Sequence, residues 1–410
     1  MSDTKYKQLS FEVGTVFTPG SPVNERELFA GRIDQVLRIL DAISQRGYHV
    51  MLYGERGVGK TSLSNVLSAF LHDRGAKFLL PRINCDASDD YSSLWRKLLR
   101  DVVVTESKVG VGFNADQIEI HRSVIENLPE KLTPDDVRRT LENLARGINL
   151  VPVFDEFDRV TDETAKSLMA DTIKLLSDYS IDATVIMIGV ADSVDELIGE
   201  HQSIERALVQ VPMPRMTKDE TCEIIKIGLS RLSMTASGNA VNEIADLSQG
   251  IPYITHLVCL HSARHALDRE ISEVRSPDLD AGIQTSLEQW QQSIKSAYYH
   301  STKSQQPDTI YREVLLACAL AETDDLGYFS AADVRNPLRQ IAGRSYDIPN
   351  FSRHLKEFSE EGRGEILSRV GEKRRIRYRF NSPLMIPYIV MRGYAEQLID
   401  KDDMTALGLS

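Results

Sequence analysis

Gly54-Glu55-Arg56-Gly57-Val58-Gly59-Lys60-Thr61 is the stretch whose reading decides the fold. It has the phosphate-binding spacing of a glycine, four residues and then Gly-Lys-Thr. Before it, His49-Val50-Met51-Leu52-Tyr53 is a short apolar run that reads as a buried strand. After it, Leu63, Val66, Leu67, Phe70 and Leu71 recur at helical spacing. Strand, glycine loop and helix start together make an anion site. Free backbone N–H groups point at phosphates, the helix dipole favours their charge, and glycines let the backbone come close. Lys60 is expected to reach the β- and γ-phosphates and the Thr61 hydroxyl to hold Mg²⁺. Gly54, Glu55, Arg56, Gly57, Val58, Gly59 and Ser62 are expected to complete the cradle. A chance glycine-rich turn is the alternative, and the flanking strand and helix argue against it.

The second informative stretch is Leu150-Val151-Pro152-Val153-Phe154-Asp155-Glu156, an apolar strand ending in two carboxylates. Asp155 is the expected metal partner. Glu156 is the expected carboxylate base that orients and deprotonates water. Taken alone, the pair also fits an acidic helix cap; downstream of the glycine loop it reads as the loop's partner. Pro152 is out of character for a central strand, because it lacks an N–H. Strand-like runs at 77–83, 184–189 and 208–212 alternate with helical patterns. This alternation predicts a mostly parallel sheet with helices on both faces and nucleotide beyond the strand carboxyl ends.

The chain has 410 residues, a formal net charge of −12, 42% hydrophobic and 26% charged residues, which is the composition of a soluble globular protein of more than one domain. No apolar run approaches the ~20 residues a bilayer span needs. Met1-Ser2-Asp3-Thr4-Lys5 lacks the apolar core of a signal peptide, and Cys85, Cys222, Cys259 and Cys318 have no ligand spacing. These features predict a cytoplasmic protein with reduced thiols. The acidic total argues against general nucleic-acid adhesion but leaves room for a local basic patch.

The order along the chain predicts five segments: an irregular N-terminal stretch, 1–30; a P-loop α/β domain, 31–215; a helical lid, 216–300; a winged-helix domain, 308–395; and a C-terminal tail, 396–410. In the α/β part, Ile33, Val36, Leu37 and Leu40 are expected to form one apolar helix face, and Thr133 to cap a helix with Pro134 in its first turn. Residues 105–132 show no clear pattern. In the lid, Thr217 and Glu220 form a capping box, and residues 279–298 read as one helix. Asn350 is a candidate cap for the helix carrying Phe351, Leu355 and Phe358. In 375–380, Ile376, Tyr378 and Phe380 alternate with Arg375, Arg377 and Arg379, as in a half-exposed hairpin strand.

This order resembles the AAA+ ATPases, and among them the origin-recognition-like (ORC/Cdc6-type) branch, over roughly residues 20–392. The resemblance implies that Gly54–Thr61 is the Walker A loop and that Asp155 and Glu156 are the Walker B pair. It places Asp192, or its neighbour Ser193, at sensor 1, where an acid is a departure from the family's usual Asn, Ser or Thr. It makes Arg206 a candidate arginine finger for a neighbouring copy; a surface ion pair is its plain alternative. Sensor 2 departs further: no arginine follows Gly250-Ile251-Pro252-Tyr253. That Gly-x-Pro turn resembles the STAND class of signalling ATPases, and Arg264 stands further along the same helix. The picture implied is a slow, Mg²⁺-dependent ATPase that acts as a switch and assembles with itself.

Lys373, Arg374, Arg375 and Arg377 on the wing, with Arg353 and Lys356 on the preceding helix, could line double-stranded DNA. They equally fit a solvated face balanced by Glu357, Glu360 and Glu361, and such a module also docks proteins. A nucleotide-gated, STAND-like adaptor without DNA binding is therefore the competing reading. Cys259, His261 and His265 share a predicted helix and read as packing rather than as metal ligands.

Overall fold

The structure, a computed structural model, describes residues 3–22, 31–72, 77–109, 117–146, 148–190, 202–304, 309–324, 327–371, 375–400 and 402–403. By internal contacts it divides into two compact units. One is Arg32–Glu55 with Lys60–Pro214; the other is Met1–Gly31 and Arg56–Gly59 with Arg215–Ser410.

The chain opens with α1 (Asp3–Val16), which belongs to the second unit. The first unit then begins with α2 (Ile33–Ser44) and β1 (His49–Tyr53), followed by α3 (Lys60–His72). Next come β2 (Phe78–Leu79), β3 (Arg82–Asn84), α4 (Tyr91–Leu99) and an antiparallel pair, β4 (Val103–Val109) with β5 (Gln117–Ser123). The pair lies where the sequence shows no clear pattern. α5 (Pro134–Leu144), β6 (Asn149–Leu150), β7 (Val153–Asp155), α6 (Glu163–Asp178), β8 (Ile186–Gly189) and β9 (Leu208–Pro212) complete the unit. Thr133 caps α5 as expected, in a reciprocal box with Asp136 and with proline in the first turn.

β3, β7, β8, β1 and β9 form one sheet in that order, with every neighbouring pair parallel. Tyr53, Gly189 and Pro212 are register partners at one edge, so the ends of β1, β8 and β9 come together. Pro152 divides the acidic strand into two pieces, β6 and β7. Its carbonyl still accepts from Ile186 N–H at 2.8 Å, but its nitrogen offers nothing to the ladder. The sheet core is closed on one face by Trp95, whose indole meets Phe154 edge-on at 4.9 Å. Only part of the apolar face expected of α2 is buried: Val36 and Leu40 are inside, whereas Ile33 and Leu37 are 57% and 53% exposed.

In the second unit α1 corrects the expectation of an irregular start. Its end brings Val13, Val16 and Phe17 into a core shared with α7 (Lys218–Arg231), α8 (Gly238–Ser248) and α9 (Pro252–Asp268). Alone, α1 has a weak apolar stripe, so packing rather than propensity holds it. The capping box of Thr217 and Glu220 starts α7 as expected. Short strands β10 (Thr235–Ala236) and β11 (Glu273–Val274) pair in parallel. The single helix expected over 279–298 is two, α10 (Ser276–Gln289) and α11 (Gln292–Thr302). The break falls at Trp290, whose backbone turns extended and whose indole lies 5.3 Å from the Tyr388 ring.

The remaining elements are α12 (Tyr311–Ala319), β12 (Phe329–Ser330), α13 (Ala331–Ala342), α14 (Ile348–Glu357), β13 (Leu367–Val370), β14 (Arg377–Phe380) and α15 (Met385–Ala395). β13 and β14 are the antiparallel hairpin that the alternation predicts, and β12 adds a third strand. The cap of α14 is Asp347, not Asn350; Asn350 Oδ1 reaches back to accept from Asp347 N–H at 3.0 Å. Among the described residues, no helix is long and apolar enough to cross a membrane.

Candidate functional site

The glycine loop leaves β1 and delivers Lys60 and Thr61 to the first turn of α3. Gly54, Gly57 and Gly59 have φ of 151°, 88° and 99°, which side chains rarely adopt. At Gly54 a Cβ would also stand 2.4 Å from the Met213 carbonyl oxygen, so the loop exit tolerates no side chain. Lys60 is buried, and its ammonium donates to the carbonyls of Gly54 and Glu55 at 2.8 Å each. The lysine thus lies along the loop it belongs to.

Across β8, the acidic strand end meets this helix. Thr61 Oγ1 donates to Asp155 Oδ2 at 3.0 Å. Asp155 is 2% exposed, and its other oxygen accepts from the Glu156 N–H at 2.8 Å. A hydroxyl and a carboxylate oxygen at this spacing form the hard oxygen donor set that Mg²⁺ takes. Glu156 leaves the strand in a left-handed conformation, φ 55° and ψ 37°. For a non-glycine residue that costs about 1–2 kcal/mol and persists only where the surrounding structure holds it. Arg159 Nη1 donates to the Glu156 carboxylate at 3.0 Å. Behind it, Asp158 accepts from Val190 N–H at 2.9 Å, tying the acidic turn to the end of β8.

One member of this cluster escaped the sequence reading. Arg82 on β3 donates to Asp155 Oδ2 at 2.5 Å. The two residues are 73 apart, and no motif links them; only the sheet order, with β3 beside β7, brings them together. His49 is a second. It is fully buried at the start of β1, and its Nδ1 accepts from Val185 N–H at 3.0 Å, pinning β1 to the strand beside it. Burial without a charge partner pushes its pKa down to about 3.

The other expected residues fall variously. Arg206 precedes β9, is 78% exposed and pairs with Asp178 at 3.0 Å, a surface ion pair. Asp192, Ser193, Lys373 and Arg374 lie outside the described residues. Arg264 lies beside α1, with Nη2 3.0 Å from the Cβ position of Gly14. Cys259 and His261 are buried, and His265 bonds Asp278 at 2.9 Å. Among the described residues no His, Cys, Asp and Glu group of metal-binding size is found. Arg353 pairs with Glu357 at 2.6 Å, Lys356 with Glu360 at 3.6 Å and Arg377 with Asp324 at 2.6 Å.

Sheet, glycine loop and acidic strand end together define a P-loop ATPase fold of the AAA type. Residues 43–198 match the family described as an AAA domain. The whole fold is similar to the Walker-type ATPase of Pyrococcus abyssi, at 19% identity and a TM-score of 0.55, covering 92% of this chain and 99% of that one. It is also similar to the ORC2 protein of Aeropyrum pernix, solved as ADPNP and ADP complexes, at 13% identity and a TM-score of 0.51, covering 96% of this chain and 98% of that one. The resemblance to origin-recognition-like AAA+ proteins therefore holds at the level of the fold. No curated protein matches the chain.

Proposed function

We propose that this chain binds ATP and Mg²⁺ and hydrolyses ATP slowly, as a nucleotide-controlled switch that assembles with copies of itself. In this reading the helices and hairpin of 308–395 form a winged helix that engages double-stranded DNA or a protein partner. The observation that carries the reading is the 3.0 Å pairing of Thr61 with Asp155 at the mouth of a buried lysine loop.

Bound Mg²⁺ supplies neutralising charge to the phosphate oxygens. The chain does the rest. Lys60 exchanges its two loop carbonyls for β- and γ-phosphate oxygens. Thr61 and Asp155 would hold the metal. Glu156 orients a water and takes its proton on a carboxylate oxygen. Arg206 of a neighbouring copy donates to charge developing on the transferred phosphoryl group. Its exposed pair with Asp178 is worth no more than about 1 kcal/mol, so release costs little. Slow turnover follows from the sequence around the site: Asp192 or Ser193 stands at sensor 1, and no arginine follows the Gly250-Ile251-Pro252 turn.

Steady-state hydrolysis tests this reading. Glu156→Gln should retain ATP binding and lose turnover by roughly 10²-fold or more, and Lys60→Ala should lose both. Equal turnover in Glu156→Gln and wild type would remove Glu156 as the base.

A second reading is favoured by the ion pairs of Arg353, Lys356 and Arg377 with acids of the same unit. With a net charge of −12, a surface balanced in this way suits protein docking by a nucleotide-gated adaptor. A salt titration of duplex DNA binding, with and without ATP, separates the two. Binding that weakens steeply with salt supports DNA engagement; none at low salt supports the adaptor.

A further inference from the structure

Asp155 is the carboxylate on which the proposed metal site depends, yet its oxygens are already committed. Oδ1 accepts from Glu156 N–H at 2.8 Å. Oδ2 accepts from Thr61 Oγ1 at 3.0 Å and from Arg82 Nη2 at 2.5 Å. The Asp155 side chain is 3% exposed and that of Arg82 26%. A carboxylate so buried needs a cation close by, and Arg82 is that cation. The guanidinium and a metal ion would compete for the same oxygen. Both are positive, and their repulsion is strong in a site sheltered from water.

We propose that Arg82 is a positioning residue that holds Asp155 Oδ2 until Mg²⁺·ATP arrives, so that nucleotide binding becomes gated by the metal. This rests on the ATP-site reading above. In the gated step Arg82 swings off Oδ2, and the Thr61 hydroxyl, which donates its proton to Asp155 in the metal-free chain, turns an oxygen lone pair toward the metal. Arg82 can make this swing because its side chain is partly open to solvent, whereas Asp155 stays fixed by the Glu156 N–H. The residue therefore weakens metal affinity while it stabilises the metal-free chain.

The test uses the full-length protein and the fluorescent nucleotide mant-ATP, titrated with Mg²⁺ and separately measured in EDTA. For Arg82→Met, the half-saturating Mg²⁺ concentration is expected to fall roughly tenfold, the scale of one charge-assisted hydrogen bond. Affinity in EDTA should change far less, which a general loss of structure would not produce. The melting temperature without nucleotide should fall, and the gap to wild type should close in Mg²⁺·ATP. If Arg82→Met does not fold, Arg82→Lys carries the same test: it keeps the charge with a poorer fit to the carboxylate, and a smaller shift in the same direction is expected. An unchanged or raised Mg²⁺ requirement in the folded variant overturns the gating role alone. Absence of mant-ATP binding by the wild type at any Mg²⁺ concentration overturns the gating role together with the ATP site beneath it.

Discussion

Thr61 Oγ1 and Asp155 Oδ2 stand 3.0 Å apart although 94 residues separate them in the chain. β8 lies between β7, which ends at Asp155, and β1, which leads into the helix carrying Thr61, so the contact spans a sheet position rather than a neighbouring ladder. Thr61→Ala should weaken Mg²⁺-dependent nucleotide binding roughly 10–100-fold. Thr61→Ser, which keeps the hydroxyl, should stay within a few-fold of wild type. Titration of Mg²⁺ at fixed nucleotide measures both.

The role given to Arg206 predicts complementation. Arg206→Ala keeps its own base but offers no finger; Glu156→Gln offers the finger but lacks the base. Each alone should be nearly inactive, and an equimolar mixture should regain a measurable fraction of wild-type hydrolysis. A mixture no more active than its components would return Arg206 to its plain role as the surface partner of Asp178.

Gly228 on α7 is the seat of α1. A Cβ there would lie 2.5 Å from the ring of Phe17, which is 1% exposed. Helix propensity favours alanine over glycine by about 1 kcal/mol. Overpacking a closed core costs ~1–3 kcal/mol, so the clash should win. Gly228→Ala is expected to lower the melting temperature and to expose residues 3–17 to protease. A raised melting temperature would show that Phe17 moves aside freely.

Two buried histidines set an acid limit. Burial holds His49 at about 3 and His256 at about 4, against 6.5 in the unfolded chain. Their folded-state values are depressed, so the neutral forms belong to the folded protein. Stability from these sites is complete above pH 6.5 and is lost as pH falls toward 4 and then 3. The loss should reach about 2 kcal/mol per histidine near pH 5. His256 Nδ1 accepts from Thr18 N–H at 3.2 Å, so its protonation should also loosen the end of α1. Denaturant melts between pH 4 and 7 measure the slope. His49→Gln should reduce the proton uptake on unfolding by about one.

Much of this architecture was legible along the chain, wherever the signal was local. The strand–loop–helix around Lys60, the Thr133 and Thr217 caps and the alternation from Ile376 to Phe380 depend on residues within a few positions of one another. What escaped depends on partners far away in sequence. α1 forms because Val13, Val16 and Phe17 find a core more than two hundred positions on. The break at Trp290 follows from burial against Tyr388. Ile33 and Leu37 are apolar yet exposed, because periodicity gives the stripe on α2 but not its rotation toward the sheet. Arg82 was invisible as a site residue because neither it nor its strand carries a motif; the order of strands alone sets it on Asp155.

The central claim is that the Lys60 loop and the Asp155 strand end together hold a metal-bound triphosphate. Isothermal titration of ATP with Mg²⁺ into the wild type and Lys60→Ala tests it most directly. The account predicts saturable binding to the wild type near one nucleotide per chain, and loss of that heat in Lys60→Ala while its melting curve stays intact. No heat with the wild type, or the same isotherm from both proteins, would contradict it.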